Sequence, residues 1–177
     1  MTIQMPERRW LVTLVFSIGA ATMASLLTWH FAHRETVECV VYDTLRPVSA
    51  LLADDRKIID ALRADGYAES ESAILESYVA RIRRDGVAKN GLMKQRIDML
   101  VNNNTMVLAY VSKHATHART AAFKTAADKF RDYAISFRDR WQSVFEIFMV
   151  GGNLPAAGPS FPAEFSDAVS AELHSAT

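Results

Sequence analysis

An all-α fold is predicted: a single N-terminal transmembrane helix, then an antiparallel bundle of three to four helices, then a short flexible tail. Three observations predict it. Residues Trp10 to Phe31 carry no charged side chain. Beyond them, apolar residues recur at alternating intervals of three and four, the signature of helices packed along a seam. After Val150 the composition turns to "GGNLPAAGPSFP", which breaks helices. The expected divisions are a cytoplasmic N-terminus at 1–9, a signal-anchor at 10–31, a periplasmic bundle at 35–150, and a linker with a short amphipathic tail helix at 151–177.

Composition limits the alternatives. Lys+Arg and Asp+Glu stand at 20 each in 177 residues, so no basic excess points to nucleic acid. Half the residues are apolar, which excludes general disorder. A lone cysteine, Cys39, excludes an internal disulfide framework and a cysteine-rich zinc site.

As an α-helix, residues 10–31 would span about 33 Å, close to the thickness of a bilayer's hydrocarbon. Trp10 and Trp29 fall near its ends, where amphipathic rings favour the headgroup region. Arg8 and Arg9 precede it, so the positive-inside bias puts the N-terminus in the cytoplasm of a bacterial cell and the main domain in the periplasm. A cleaved signal peptide is the competing reading, with "GAATMA" as its small-residue region. Against it, "SLLTWHF" extends the apolar run past any such cut. Ser17, Ala21 and Ser25 fall four apart, a spacing that lets two helix backbones approach closely. With Cys39 just outside the membrane they make a candidate parallel-dimer face. Small filler residues and a buried cysteine are the plainer explanation.

The first bundle stripe is Val41, Leu45, Val48, Leu52, Ile59 and Leu62, with Asp55 in its middle and Pro47 either kinking the helix or starting a new one. Asp55 is expected to pair with an arginine such as Arg96, setting register. Gly66 is a normal helix stop. A second helix is expected from "ESES", with Ser70 or Ser72 as cap and Ile74, Tyr78 and Ile82 on its inner face, and it ends at "RRDG". "GVAKNG" reads as a loop.

From Leu92 to Val150 there is neither glycine nor proline, and one helix of that length would reach about 88 Å. Two stripes show where it breaks. Met93, Ile97, Leu100, Asn104, Val107 and Val111 hold one register. Phe123, Ala127, Phe130, Ala134, Phe137, Trp141, Val144 and Phe148 hold another, offset by two positions. A turn within "SKHATHART" reconciles them, with Thr116 or Thr120 capping the new helix. A break at the "NNN" of 102–104 would leave a helix too short to stand alone. The last stripe reads as bundle core. Its rings Phe123, Phe130, Phe137, Trp141 and Phe148 are also the candidate partner-binding groove. The tail helix, with Phe165, Val169 and Leu173 on one face, either docks on the bundle or serves as bait for a partner.

Chemistry is sparse. G-x-S-x-G, P-loop, dinucleotide, H-E-x-x-H and Cys-x-x-Cys patterns are all missing, so no enzyme and no cofactor are expected. His30 and His33 at the membrane exit, and His114 and His117 in the predicted turn, are pairs three apart. Such pairs can share a metal ion, with Glu35 and Glu38 as oxygen ligands. Solvated histidines are the alternative.

One anchor followed by an up-and-down bundle, over about residues 10–150, resembles the external four-helix sensory domains of bacterial chemoreceptors and sensor kinases. The resemblance is architectural, rests on no motif, and carries no ligand residue over. The function expected is that of a non-enzymatic accessory, scaffold or assembly subunit of an envelope complex. Its partners would be the lipid bilayer and another envelope protein or a second copy of itself. The alternative is a periplasmic sensory or metal-binding module.

Overall fold

The computed structural model describes the backbone of residues 7–68, 70–115, 118 and 120–175, and their side chains except at 7–21, 30, 31 and 33–40. The fold is all-helical, with no strand among the described residues. Five α-helices follow in order: α1 (Glu7–Ala64), α2 (Ile74–Asp85), α3 (Gly91–His114), α4 (Ala121–Val150) and α5 (Glu164–His174). Single 3-10 turns, Glu71–Ala73 and Ala88–Asn90, lead into α2 and α3. The chain divides into two compact units, Met1–Cys39 and Val40–Thr177.

The first unit contains the N-terminal part of α1. Met23, Leu26, Leu27 and Trp29 are exposed there. Among the described residues no helix is long and apolar enough to cross a membrane. The expected span has its side chains described only at 22–29, so most of it lies outside those residues.

The second unit is built on α4, whose inner stripe is buried from Phe123 to Val144. Helix α1 continues through Pro47 without a break, although proline supplies no amide hydrogen to the carbonyl four residues back. Val41, Leu45, Val48 and Leu62 are buried as the stripe requires, while Leu52 and Ile59 are only half-buried. Three polar contacts give the antiparallel register of α1 and α3. Thr44 meets His114, Asp55 meets Asn103, and Ala61 meets Arg96. All six stripe residues of α3 are buried.

The turn between α3 and α4 falls in "SKHATHART", with Thr120 as the cap: its hydroxyl accepts from the amide of Phe123 at 3.2 Å. At the other end of α4, Gly151 takes φ 80°, a left-handed conformation that suits glycine and ends the helix. Serines do not cap the second helix. Ser70 makes no side-chain cap bond and instead lies 3.1 Å from the hydroxyl of Ser72. Helix α2 buries a wider face than Ile74, Tyr78 and Ile82 alone, adding Leu75 and Val79. The expected loop "GVAKNG" is a short 3-10 turn, held by the Asn90 amide donating to the Gly86 carbonyl at 2.9 Å.

The tail departs most from expectation. Residues 151–163 form a strap that retraces α4 rather than a free linker. The Pro155 carbonyl accepts from Arg140 Nε at 3.3 Å. Gly158 lies against Ser136, and the Phe161 ring meets Tyr133 edge-on at 5.4 Å. Helix α5 then docks on the N-terminal half of α4, with Phe165 stacked on Phe130 at 4.3 Å and Val169 buried. Of the two fates open to the tail, docking is the one observed. Helix α2 covers the other half of α4, where Tyr78 meets Trp141 at 5.2 Å and Glu76 pairs with Arg140. Two short helices thus share the work of one long one.

Candidate functional site

A cleft of about 240 Å³ opens where α1, α3, α4 and the strap converge. Helix α1 contributes Asp55, Arg56, Ile59 and Arg63 at the spacing of one face. Leu100 and Asn104 come from α3, Tyr133 from α4, and Phe161 and Ser166 from the tail. Glu71, in the turn before α2, also lines it, and with Tyr133 and Phe161 it borders a second hollow of about 280 Å³ under the strap.

Asp55 sits in an apolar stripe and is 7 % exposed. Its Oδ1 accepts from Asn103 Nδ2 at 2.8 Å. Burial pushes its pKa up to about 7, the negative charges of Glu71 and Asp54 push the same way, and the Asn103 bond opposes them. The expected Arg96 partner is engaged elsewhere. Arg96 Nη1 donates to the Ala61 carbonyl at 3.2 Å and pairs with Asp65. The register explains this, because Arg96 lies opposite the end of α1 rather than its middle.

The Tyr133 hydroxyl donates to the Glu71 carboxylate. Burial raises the Tyr133 pKa well above the ordinary phenol range, with the adjacent Glu71 charge adding to it. Glu71 is raised too, by burial first, while the Tyr133 bond and Arg63 hold it down. These groups resist carrying charge where they stand.

A second polar set is wholly internal. His114 Nδ1 lies 3.5 Å from Thr44 Oγ1, and its Nε2 lies 3.3 Å from Glu172 Oε1, with the His114 and Glu172 side chains fully buried. The other oxygen of Glu172 accepts from the Thr120 hydroxyl at 2.7 Å and its amide at 3.2 Å. One carboxylate thereby ties α5 to the start of α4, where the helix dipole favours a negative group. Sequence reading missed Glu172. The available signal was its place on the same face as Phe165 and Val169, where an acid is out of character.

His114 therefore belongs to the core and has both ring nitrogens occupied, so it is not a free member of a four-imidazole cluster. His117 lies outside the described residues, as do the side chains of His30, His33, Glu35 and Glu38. Among the described residues no three His, Cys, Asp or Glu side chains gather as metal ligands. Of the dimerisation set, the side chains of Ser17, Ala21 and Cys39 lie outside the description, and Ser25 is exposed. The aromatic groove is corrected more sharply. Phe123, Phe130, Phe137 and Trp141 are buried, because α2, α3, α5 and the strap already cover that stripe. Phe148 alone stays exposed, beside Phe145, Met149 and Val150.

Comparison of the chain with protein-family models, curated proteins and solved structures finds no match.

Proposed function

We propose that the chain is a single-pass, membrane-anchored helical bundle of the bacterial periplasm, acting without catalysis of its own as an accessory or assembly subunit of an envelope complex. The observation that carries this reading is the bare end of α4. Phe145, Phe148, Met149 and Val150 are exposed at 45 %, 48 %, 81 % and 87 %, a grouping of large apolar side chains that marks contact surfaces in folded proteins. The uncharged run from Trp10 to Phe31 supports the anchor, as do the outward-facing Met23, Leu26, Leu27 and Trp29. The buried polar set of Thr44, His114 and Glu172 joins α1, α3 and α5, as suits a structural part of the bundle.

The test has two parts. A periplasm-dependent reporter fused after Thr177 should be active, and the protein should stay with membranes through alkaline carbonate. A photo-cross-linking residue at Phe148 should give one discrete adduct in cells, with an envelope protein or a second copy. Met149→Asp should reduce that adduct at least fivefold. Release by carbonate would remove the anchor from this account, and a featureless cross-linking pattern unaffected by Met149→Asp would remove the contact surface.

A further inference from the structure

The cleft at Asp55 is lined by an acid and a base that the protein does not pair with each other. Asp55 is held by Asn103 through Oδ1 only, and its other oxygen takes no hydrogen bond among the described residues. It makes no ion pair among them. Arg56, the next residue, lines the same cleft and makes neither ion pair nor hydrogen bond among the described residues. Neighbours on a helix diverge by about 100°, so the two border one space without satisfying each other. A carboxyl this buried is costly to ionise without a cation beside it, so the site favours a ligand that brings one.

We propose that this cleft binds a small zwitterion of the amino-acid class bearing an apolar side chain. The ammonium group supplies donors for the open oxygen of Asp55 and for Glu71, both of which line the cleft. The carboxylate meets Arg56 at the exposed edge. The apolar part lies on Leu52, Ile59 and Phe161, which line the same space. A volume of about 240 Å³ falls just under the roughly 300–1,000 Å³ of pockets for drug-sized ligands, as suits a smaller molecule.

Both signs of charge on the lining select against simpler ligands. A plain amine leaves Arg56 unanswered, and a plain carboxylate is set against Asp55 and Glu71. The other charged groups facing the cleft are Asp60 and Arg63, 3.6 Å apart and paired with each other. Helices α3 and α4 add only the neutral Asn104 and Tyr133, with Leu100, and the tail adds Ser166. Because Asp55 titrates near pH 7 and the ammonium group favours its ionised form, binding tightens between pH 6 and pH 8, by up to roughly tenfold for one coupled group.

Calorimetric titration of the full-length protein in non-ionic detergent tests this, with leucine, valine and phenylalanine as zwitterions and with isoamylamine and 4-methylpentanoate as the one-charge analogues of leucine. At least one amino acid should give saturable heat, and each leucine analogue should bind at least tenfold more weakly than leucine itself. Asp55→Asn and Arg56→Gln should each weaken the amino acid at least tenfold. Arg56 is exposed, so its replacement leaves the fold intact, and circular dichroism melts verify both variants. Absence of heat from all three amino acids overturns the proposal. So does an unchanged affinity in Arg56→Gln, or an amine that binds as tightly as leucine. None of these outcomes touches the anchor or the end of α4, so the functional reading above stands or falls separately.

Discussion

Asp55 occupies a position that hydrophobic periodicity assigns to leucine or valine, and the consequence is a dependence of stability on pH. Its pKa is near 7 in the folded chain and about 3.9 in an unfolded one. Below pH 4 the side chain is neutral in both states and its burial costs little. As pH rises from 4 through 7 the unfolded chain ionises first, so the folded state loses stability over that window. Glu71, also raised by burial, pushes in the same direction. The protein should therefore melt higher at pH 5 than at pH 8. Asp55→Asn should flatten that difference and stabilise the pH 8 state by about 1–3 kcal/mol, less than the full shift implies because the surroundings relax. An amide oxygen can still accept from Asn103, so the gain is not offset by a lost bond. Thermal melts of both proteins at the two pH values check this. A wild type equally stable at both would mean that Asp55 is already solvated or paired.

At the scale of elements, the strap is held on α4 by contacts to Arg140, Ser136 and Tyr133. An ideal Cβ built on Gly158 would come within 1.8 Å of Ser136 Oγ and 2.7 Å of Ser136 Cβ, so glycine is required there for close approach rather than for an unusual φ. Gly158→Ala should lift the strap from α4 at a cost of about 1–3 kcal/mol, the usual penalty of overpacking. Ser136→Gly should recover part of it. A double-mutant cycle in urea should give a coupling of at least about 1 kcal/mol between the two positions, and additive effects would place the strap elsewhere. This dependence was not legible in the sequence, because "GGNLPAAGPSFP" has no period and its anchors come singly from distant residues. Helices α3 and α4 were legible, since their stripes are long and the offset between them located the turn before Ala121. The partner of Asp55 was not. The register that sets Thr44 opposite His114 and Ala61 opposite Arg96 also sets Asp55 opposite Asn103, and a single stripe carries no information about register. The aromatic stripe of α4 was read correctly as core. Its reading as a groove failed because α3, the two short helices and the strap together supply the cover.

At the scale of the molecule, every core contact described above lies within Val40–Thr177, including those of the docked tail. That unit should accordingly fold without the N-terminal segment. Its edge is sharper than the continuity of α1 suggests. Val41 and Leu45 are fully buried, and Thr44 reaches His114, so the core extends almost to the unit's first residue. A fragment covering residues 36–177 should unfold in one cooperative transition with its helix content preserved. A fragment starting at residue 46 loses both apolar side chains and leaves the inner side of His114 without Thr44. Burial of two aliphatic side chains contributes about 3–6 kcal/mol. At roughly 3–5 °C per kcal/mol for a domain of this size, the shorter fragment should melt at least about 10 °C lower. Circular dichroism and urea titration of the two fragments distinguish the outcomes. Equal stability would mean that the bundle proper begins after Leu45, and a longer fragment that fails to fold would mean that the segment before it belongs to the core.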